Sequence, residues 1–396
     1  MIQISFDMYQ TLGIAVVALL LGRFLRSRIH VLEKFCIPAP VVGGLVFAIF
    51  TCVLYAAGVV EIFFDDTLRE VCMVLFFTSV GFQANLKVLK EGGKSLLVFL
   101  GVVIILIVTQ NALAIGLAGV LKLNPLVGMC TGSIPMVGGH GTAGAFGPVI
   151  EDFGVTGAAT LCTAAATYGL VAGSLIGGPI GNHLIQKKDL LKTAVDPEVG
   201  TSSEAEAEQG KSLHNYASAA YMLAITVGAG TIISYLLSRL DMTFPVYIGA
   251  LIAAAIVRNV GEYTGKINVP MDEINSIGEI MLSFFLGIAM ITLKLWQLAE
   301  LALPLAILLS GQTILMLLYA RFIVFNVMGR DYDAAVITAG VCGFGMGATP
   351  NAMANMQAIC DKYRPSVKAY LLIPIVGSLF ADFINSIVIT FFINII

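Results

Sequence analysis

The sequence predicts an all-α polytopic membrane protein made of two inverted-topology repeats, each with five transmembrane helices and a re-entrant glycine-rich hairpin. Three observations carry that prediction. Of 396 residues, 58% are hydrophobic and only 12% charged, with a mean hydropathy of +0.92, whereas soluble domains run to about 25% charged. Two stretches about 208 residues apart are far too rich in glycine and proline for lipid-facing helices, yet each sits between long apolar segments. The basic residues, finally, gather on alternate connections, as the positive-inside rule demands.

The first apolar run, Tyr9–Leu25, ends among Arg23, Arg26 and Arg28 rather than at a cleavage site, and no positive segment precedes it, so it is expected to stay as a membrane helix. Runs long enough to cross about 30 Å of hydrocarbon follow at Pro38–Val60, Leu68–Ala84 and Ser95–Leu121. After these come the first broken stretch, Pro125–Ile150, and a fifth helix at Thr156–Leu184. These make an N-terminal repeat over 1–185. The polar segment 186–213, centred on Ser202-Ser203-Glu204-Ala205-Glu206, reads as a linker. The C-terminal repeat, 214–396, follows the same plan: Asn215–Leu237, Phe244–Val260, Ile277–Leu293, Leu301–Val327, a broken stretch over about 331–360, and Val367–Ile396. Phe76-Phe77 matches Phe284-Phe285, Leu86-Lys87 matches Leu293-Lys294, and Gly132 matches Gly340, all at offsets of about 207–208.

With the N-terminus outside and five crossings per half, all but Arg69, Lys122, Arg239 and Lys294 of the 22 Lys and Arg fall on one side. Both termini are then outside and the linker is cytoplasmic. Because five is odd, the halves insert oppositely, and the two broken stretches enter from opposite faces toward a common midplane. The seven cysteines show no metal-ligand spacing and read as packing residues. No basic patch points to nucleic acid, and no GxSxG or HExxH motif points to an enzyme.

The first broken stretch contains Gly132-Ser133-Ile134-Pro135 and Gly138-Gly139-His140-Gly141-Thr142; the second contains Gly343-Phe344-Gly345-Met346-Gly347-Ala348-Thr349-Pro350-Asn351. Each glycine costs a helix roughly 1 kcal/mol and each proline about 3, and backbone groups freed from a helix find no partner in lipid. Such stretches therefore belong inside protein or beside a polar cavity, and paired interruptions in two halves point to a transporter's binding site. Glycine lets a ligand approach the backbone, which suits Gly138, Gly139, Gly141, Gly343, Gly345 and Gly347. Ser133, Thr142, Thr349, Asn351 and Asn355 add hydroxyl and amide groups suited to carboxylates or to Na⁺. His140 reads either as a ligand donor or proton relay, or as a hydrogen-bonded structural histidine.

Asp382 lies in the last helix, several turns from either end, and an intramembrane carboxylate is a functional candidate by default. It is suited to a substrate ammonium or a sodium ion. Asn385, Gln110, Asn111 and Gln312 are also polar at depth, as ligands or as bonds across helices.

The arm Gly138–Thr142, the arm Gly340–Met356 and the run Asn355-Met356-Gln357-Ala358-Ile359 resemble the bacterial sodium/glutamate symporter family, as do the flanks Tyr332–Val336 and Leu293–Trp296. The similarity covers nearly the whole chain apart from the linker. It implies a sodium-coupled carrier importing L-glutamate across the bacterial inner membrane, with Na⁺ as coupling ion and no cofactor. It also implies a homodimer and an elevator-like displacement of the core that holds the hairpins. Substrate contacts are then expected from Ser133, Gly138–Thr142, Gly343, Gly345, Gly347, Thr349, Asn351 and Asp382, and sodium ligands from Thr349, Asn355, Asp382 and Asn385. The first arm departs from the family's hydroxyl-rich run at Pro135 and Val137. The alternative is a sodium-coupled carrier of citrate, malate or another di- or tricarboxylate.

Overall fold

The computed structural model describes residues 1–91, 93–191, 213–237, 239 and 246–396, so most of the expected linker, 186–213, lies outside the described residues. The first half runs β1 (Ile2–Phe6), α1 (Met8–Arg28), α2 (Ala39–Ala56), β2 (Val60–Phe64), α3 (Thr67–Gln83), α4 (Gly93–Val120), α5 (Pro125–Met129), α6 (Ser133–Met136), α7 (Gly139–Asp152) and α8 (Ala158–Lys188). The second runs α9 (Leu213–Leu237), α10 (Val246–Thr264), α11 (Met271–Ile291), α12 (Ala302–Tyr319), α13 (Tyr332–Phe344) and α14 (Thr349–Lys362). It ends in a helix of two parts, α15 (Val367–Pro374) and α16 (Ala381–Ile395), joined by a π-helical segment at Ile375–Phe380.

Local chemistry sets several of these boundaries. Asp7 caps α1, its carboxylate accepting from Gln10 N at 2.8 Å while Gln10 Oε1 accepts from Asp7 N at 3.1 Å, a reciprocal capping box. Asn124 caps α5 ahead of Pro125 at its first position, and Asp331 Oδ1 caps α13 by accepting from Ala334 N at 2.7 Å. Pro374 inside the last helix lacks an N–H and coincides with its π segment.

Among the described residues, nine helices are long and apolar enough to cross a membrane, which identifies a multi-pass membrane protein. The expected crossing at Phe244–Val260 is present as α10 but is not among the nine. It carries Arg258 and Glu262, whose charged groups stand 3.6 Å apart, and Lys87 reaches Glu262 at 3.3 Å. The all-α expectation needs one correction. β1 and β2 pair in parallel, Ile2 opposite Val60 through Phe6 opposite Phe64, and Phe6 stacks on Phe64 at 5.6 Å. The pairing satisfies backbone that precedes α1 and follows α2, which a helix-only reading leaves unassigned.

The helices sort into two bundles. α1, α2, α3, α9, α10 and α11 pack on one another, while α4, α7, α8, α12, α13, α14 and the last helix form the second group. In the first bundle α1 and α2 cross so closely that a Cβ on Gly43 would stand 1.7 Å from the Ala18 carbonyl oxygen. The bundles meet around Tyr247, which stacks on Phe77 at 4.1 Å and meets Phe146 edge-on at 5.7 Å.

Candidate functional site

The two interrupted helices come together inside the second bundle. The first is broken at Cys130–Gly132 and again at Val137–Gly138, the second at Gly345–Ala348. Gly139 has φ +57, and a Cβ there would stand 2.9 Å from the Gly347 carbonyl oxygen, so both backbone conformation and this close approach call for glycine. α8 passes beside both breaks. A Cβ on its Gly169 would lie 2.0 Å from the Met346 carbonyl oxygen.

Carboxamides from neighbouring helices take up backbone groups that the breaks release. Asn111 Oδ1 accepts from Ser133 N at 2.8 Å, and Asn385 Nδ2 donates to the Ser133 carbonyl at 3.0 Å. Gln110 Nε2 donates to the Gly345 carbonyl at 2.7 Å, and Gln312 Nε2 donates to the Gln110 carbonyl at 2.9 Å. These residues are fully buried, where an unmade hydrogen bond costs about 1–3 kcal/mol. Gln110 and Asn111 thus serve one break each from adjacent positions on α4.

Each of these side chains uses one polar group and leaves the other over. Gln110 Oε1, Gln312 Oε1, Asn385 Oδ1, Asn351 Oδ1, Ser133 Oγ and Asn111 Nδ2 are buried without a hydrogen-bond partner among the described residues. Five of the six are oxygens, the ligand type that hard cations take. Asp382 opens α16 and shares a helix face with Asn385, one turn away, which reaches Ser133. No hydrogen bond or ion pair to the Asp382 carboxylate is found among the described residues.

The expected residues do not all converge. Ser133, Gly138, Gly139, Gly345, Gly347 and Asn385 lie at the two breaks, and Thr349 begins α14 beside the π segment, 3.2 Å from where a Cβ on Gly377 would stand. Thr142 is buried one turn into α7, against Gly138. Gly141 instead faces Phe76 and Leu282 of the first bundle, and Gly343 packs the two arms of the second interruption together, 2.4 Å from its would-be Cβ to Ala352 N. Asn351 Nδ2 donates to the Leu170 carbonyl at 2.9 Å and to Ser174 Oγ at 2.7 Å. Asn355 Nδ2 donates to the Gly173 carbonyl at 3.0 Å. Both thereby fasten α14 to α8.

His140 Nε2 lies 3.0 Å from Thr167 Oγ1, whose own proton goes to the Thr163 carbonyl at 3.0 Å. The network therefore assigns the ring proton to Nε2. His140 is thus hydrogen-bonded to α8, with its second nitrogen not engaged in that network.

Sequence reasoning left Gln110, Asn111 and Gln312 between ligands and bonds across helices, and the structure shows bonds across helices, with partners the sequence did not predict. The available signal was a pair of carboxamides in the middle of a 28-residue apolar helix, with a third in the equivalent helix of the second half.

Buried polar groups around paired helix breaks, in a bundle that packs on a second one, define a membrane carrier rather than a receptor or a structural span. The comparisons with known proteins narrow this. A profile for the family described as Sodium/glutamate symporter matches residues 4–365. The sodium/glutamate symporter of Escherichia coli (strain K12) is 40% identical over 386 residues, covering 97% of this chain and 96% of that protein. That of Haemophilus influenzae is 38% identical over 387 residues, covering 96% of each. The chain belongs to the sodium/glutamate symporter family, which is a family of secondary transporters and not of enzymes. Among solved structures, the sodium proton antiporter MjNhaP1 from Methanocaldococcus jannaschii aligns over 97% of each chain at 14% identity, with a TM-score of 0.43. At that score the likeness carries no argument.

Proposed function

We propose that this protein is a sodium-coupled symporter that imports glutamate across the bacterial inner membrane. The observation that carries the reading furthest is the meeting of two interrupted helices, one from each half, among buried polar atoms left without partners. In this reading the halves, 1–185 and 214–396, are inverted repeats, and each broken stretch is a re-entrant hairpin. Both termini are outside and the linker is cytoplasmic. Backbone N–H groups around Gly138–Gly139 and Gly345–Gly347, with Ser133, His140, Thr142 and Thr349, receive the substrate carboxylates, while Gly141, Gly343 and Asn351 hold the surrounding helices together. Asp382 receives the ammonium or a Na⁺. The oxygens of Asn385, Asn355 and Thr349 complete the sodium site, joined by the unengaged Gln110 and Gln312 oxygens.

Sodium adds positive charge and fixes side chains at the site before the anionic substrate arrives, so each ligand binds better in the presence of the other, by the same factor. The second bundle carries the site and moves against the first in an elevator-like displacement, with the first bundle supplying the homodimer contact. The two-bundle packing supports this division. The experiment is uptake of labelled L-glutamate by proteoliposomes of the purified protein under an inward sodium gradient, with potassium as control. Accumulation that requires sodium is expected. Sodium-driven uptake of citrate or malate in place of glutamate would overturn the substrate, and no gradient-driven uptake of any of these acids would overturn the carrier reading.

A further inference from the structure

A cavity of about 300 Å³ lies across the seam between the two bundles, away from the breaks. Arg69, at the start of α3, and Lys294, just after α11, come from the first bundle. Glu151, at the end of α7, and Thr160 and Thr163, on α8, come from the second, and Gln297 also lines the cavity. These two cations are half of the four that charge asymmetry places on the outer side. The Arg69 guanidinium is shared with Asp66 at 2.5 Å, and the Lys294 ammonium stands 5.9 Å from the Phe63 ring centroid, with no carboxylate partner among the described residues. Glu151 Oε1 accepts from Ala159 N at 3.1 Å, and both cations act on its carboxylate through space.

We infer that this cavity is an outer binding site for the acidic amino acid, taken up before it reaches the breaks; the inference rests on the function proposed above. Arg69, shared with Asp66, and Lys294, with no carboxylate within salt-bridge distance among the described residues, face Glu151 across the cavity, and charges of both signs at one opening suit a molecule that carries carboxylates and an ammonium. One wall of the cavity is α8, which also passes the first break. Thr160, Thr163 and Thr167 recur on one face of α8, and Thr167 is the residue bonded to His140 beside Gly139. Thr163 Oγ1 donates to the Ala159 carbonyl at 2.9 Å and Thr167 Oγ1 to the Thr163 carbonyl at 3.0 Å, so this face of α8 runs without a break from the cavity wall to His140.

The chain carries a probe next to this cavity: Trp296, its single tryptophan, stacks on Tyr55 at 4.0 Å in an adjacent small cavity that shares Thr292, Leu293 and Lys294 with this one. Titrating the purified full-length protein with L-glutamate in sodium-free buffer reads this site through Trp296 fluorescence, without requiring transport. The expected result is a saturable change in the wild type that persists in Asp382→Asn, whose substitution lies at the breaks. Arg69→Gln and Lys294→Gln should raise the half-saturating concentration about fivefold, the size of an exposed charge contact, with affinity restored in Arg69→Lys and Lys294→Arg. Glu151→Gln should weaken L-glutamate but not glutarate, which has no ammonium. No saturable change, or one that Arg69→Gln and Lys294→Gln leave intact, would overturn the outer site. Failure of the proposed function would instead show as absent sodium-driven uptake, whatever the fluorescence.

Discussion

Buried hydroxyls close back on their own helix in both bundles, Thr338 to the Ala334 carbonyl in the second for example, and the bundles differ in their fully buried carboxamides. In the first, buried hydroxyls mostly close back on their own helix: Thr78 donates to the Val74 carbonyl at 2.7 Å, Ser79 to Phe76 at 2.7 Å and Thr51 to Ala48 at 3.0 Å. In the second, buried carboxamides reach across helices to broken backbone, and their remaining groups go unused. Self-satisfied hydroxyls cost little and let helices slide or pack on small residues. Half-satisfied carboxamides are expensive, and they persist where a ligand completes them. On the proposed function, the contrast fits the first bundle as support and the second as the part that holds the ligands.

Substitutions can break or sharpen this contrast. The largest effect is expected from Asp382→Asn, which should lower sodium-driven glutamate uptake about 100-fold, near the upper end of typical coupling free energies, with the protein still present in the membrane fraction. Uptake within a few-fold of wild type would remove Asp382 from the site. Next, Gln110→Leu leaves the Gly345 carbonyl buried and unpaired, and should cost about 1–3 kcal/mol of stability, read as a lower thermal unfolding midpoint in detergent. Asn111→Leu should do the same through Ser133 N–H. Gly139→Ala imposes a left-handed conformation costing about 1–2 kcal/mol and crowds the Gly347 carbonyl, so uptake should fall with it. Smallest of all, Thr78→Val should change stability by about 1 kcal/mol or less, since its hydroxyl bonds a carbonyl of its own helix that keeps its helical partner. A Thr78→Val cost equal to that of Gln110→Leu would dissolve the distinction between the bundles.

The two interruptions were legible in the sequence because glycine and proline break helices by local chemistry alone, and most membrane helices because an apolar run of that length has one stable home. Asp382 was legible for the same reason, as a charge where charges are costly. Notably, the family match ends at residue 365, so its role rests on position and not on that match. What escaped depends on partners distant in sequence. Ile2–Phe6 and Val60–Phe64 are five residues each and become strands only by finding one another. Nothing local says that Gln110 serves Gly345, or that Gly141 faces Phe76 and Gly343 faces Ala352 while Gly139 meets Gly347. Glycine density located the helix breaks; tertiary contact decides which glycine is for packing and which for close approach there.

The measurement that most directly tests the central claim is the reciprocal dependence of the two affinities. Equilibrium binding of labelled L-glutamate would be measured across sodium concentrations, and sodium affinity with and without saturating glutamate, in the wild type and in Asn385→Ala. The account predicts that sodium strengthens glutamate binding and glutamate strengthens sodium binding by one common factor in the wild type, and that this factor collapses toward one when the Asn385 oxygen is gone. Glutamate binding indifferent to sodium, or coupling undiminished in Asn385→Ala, would contradict a sodium site at the breaks.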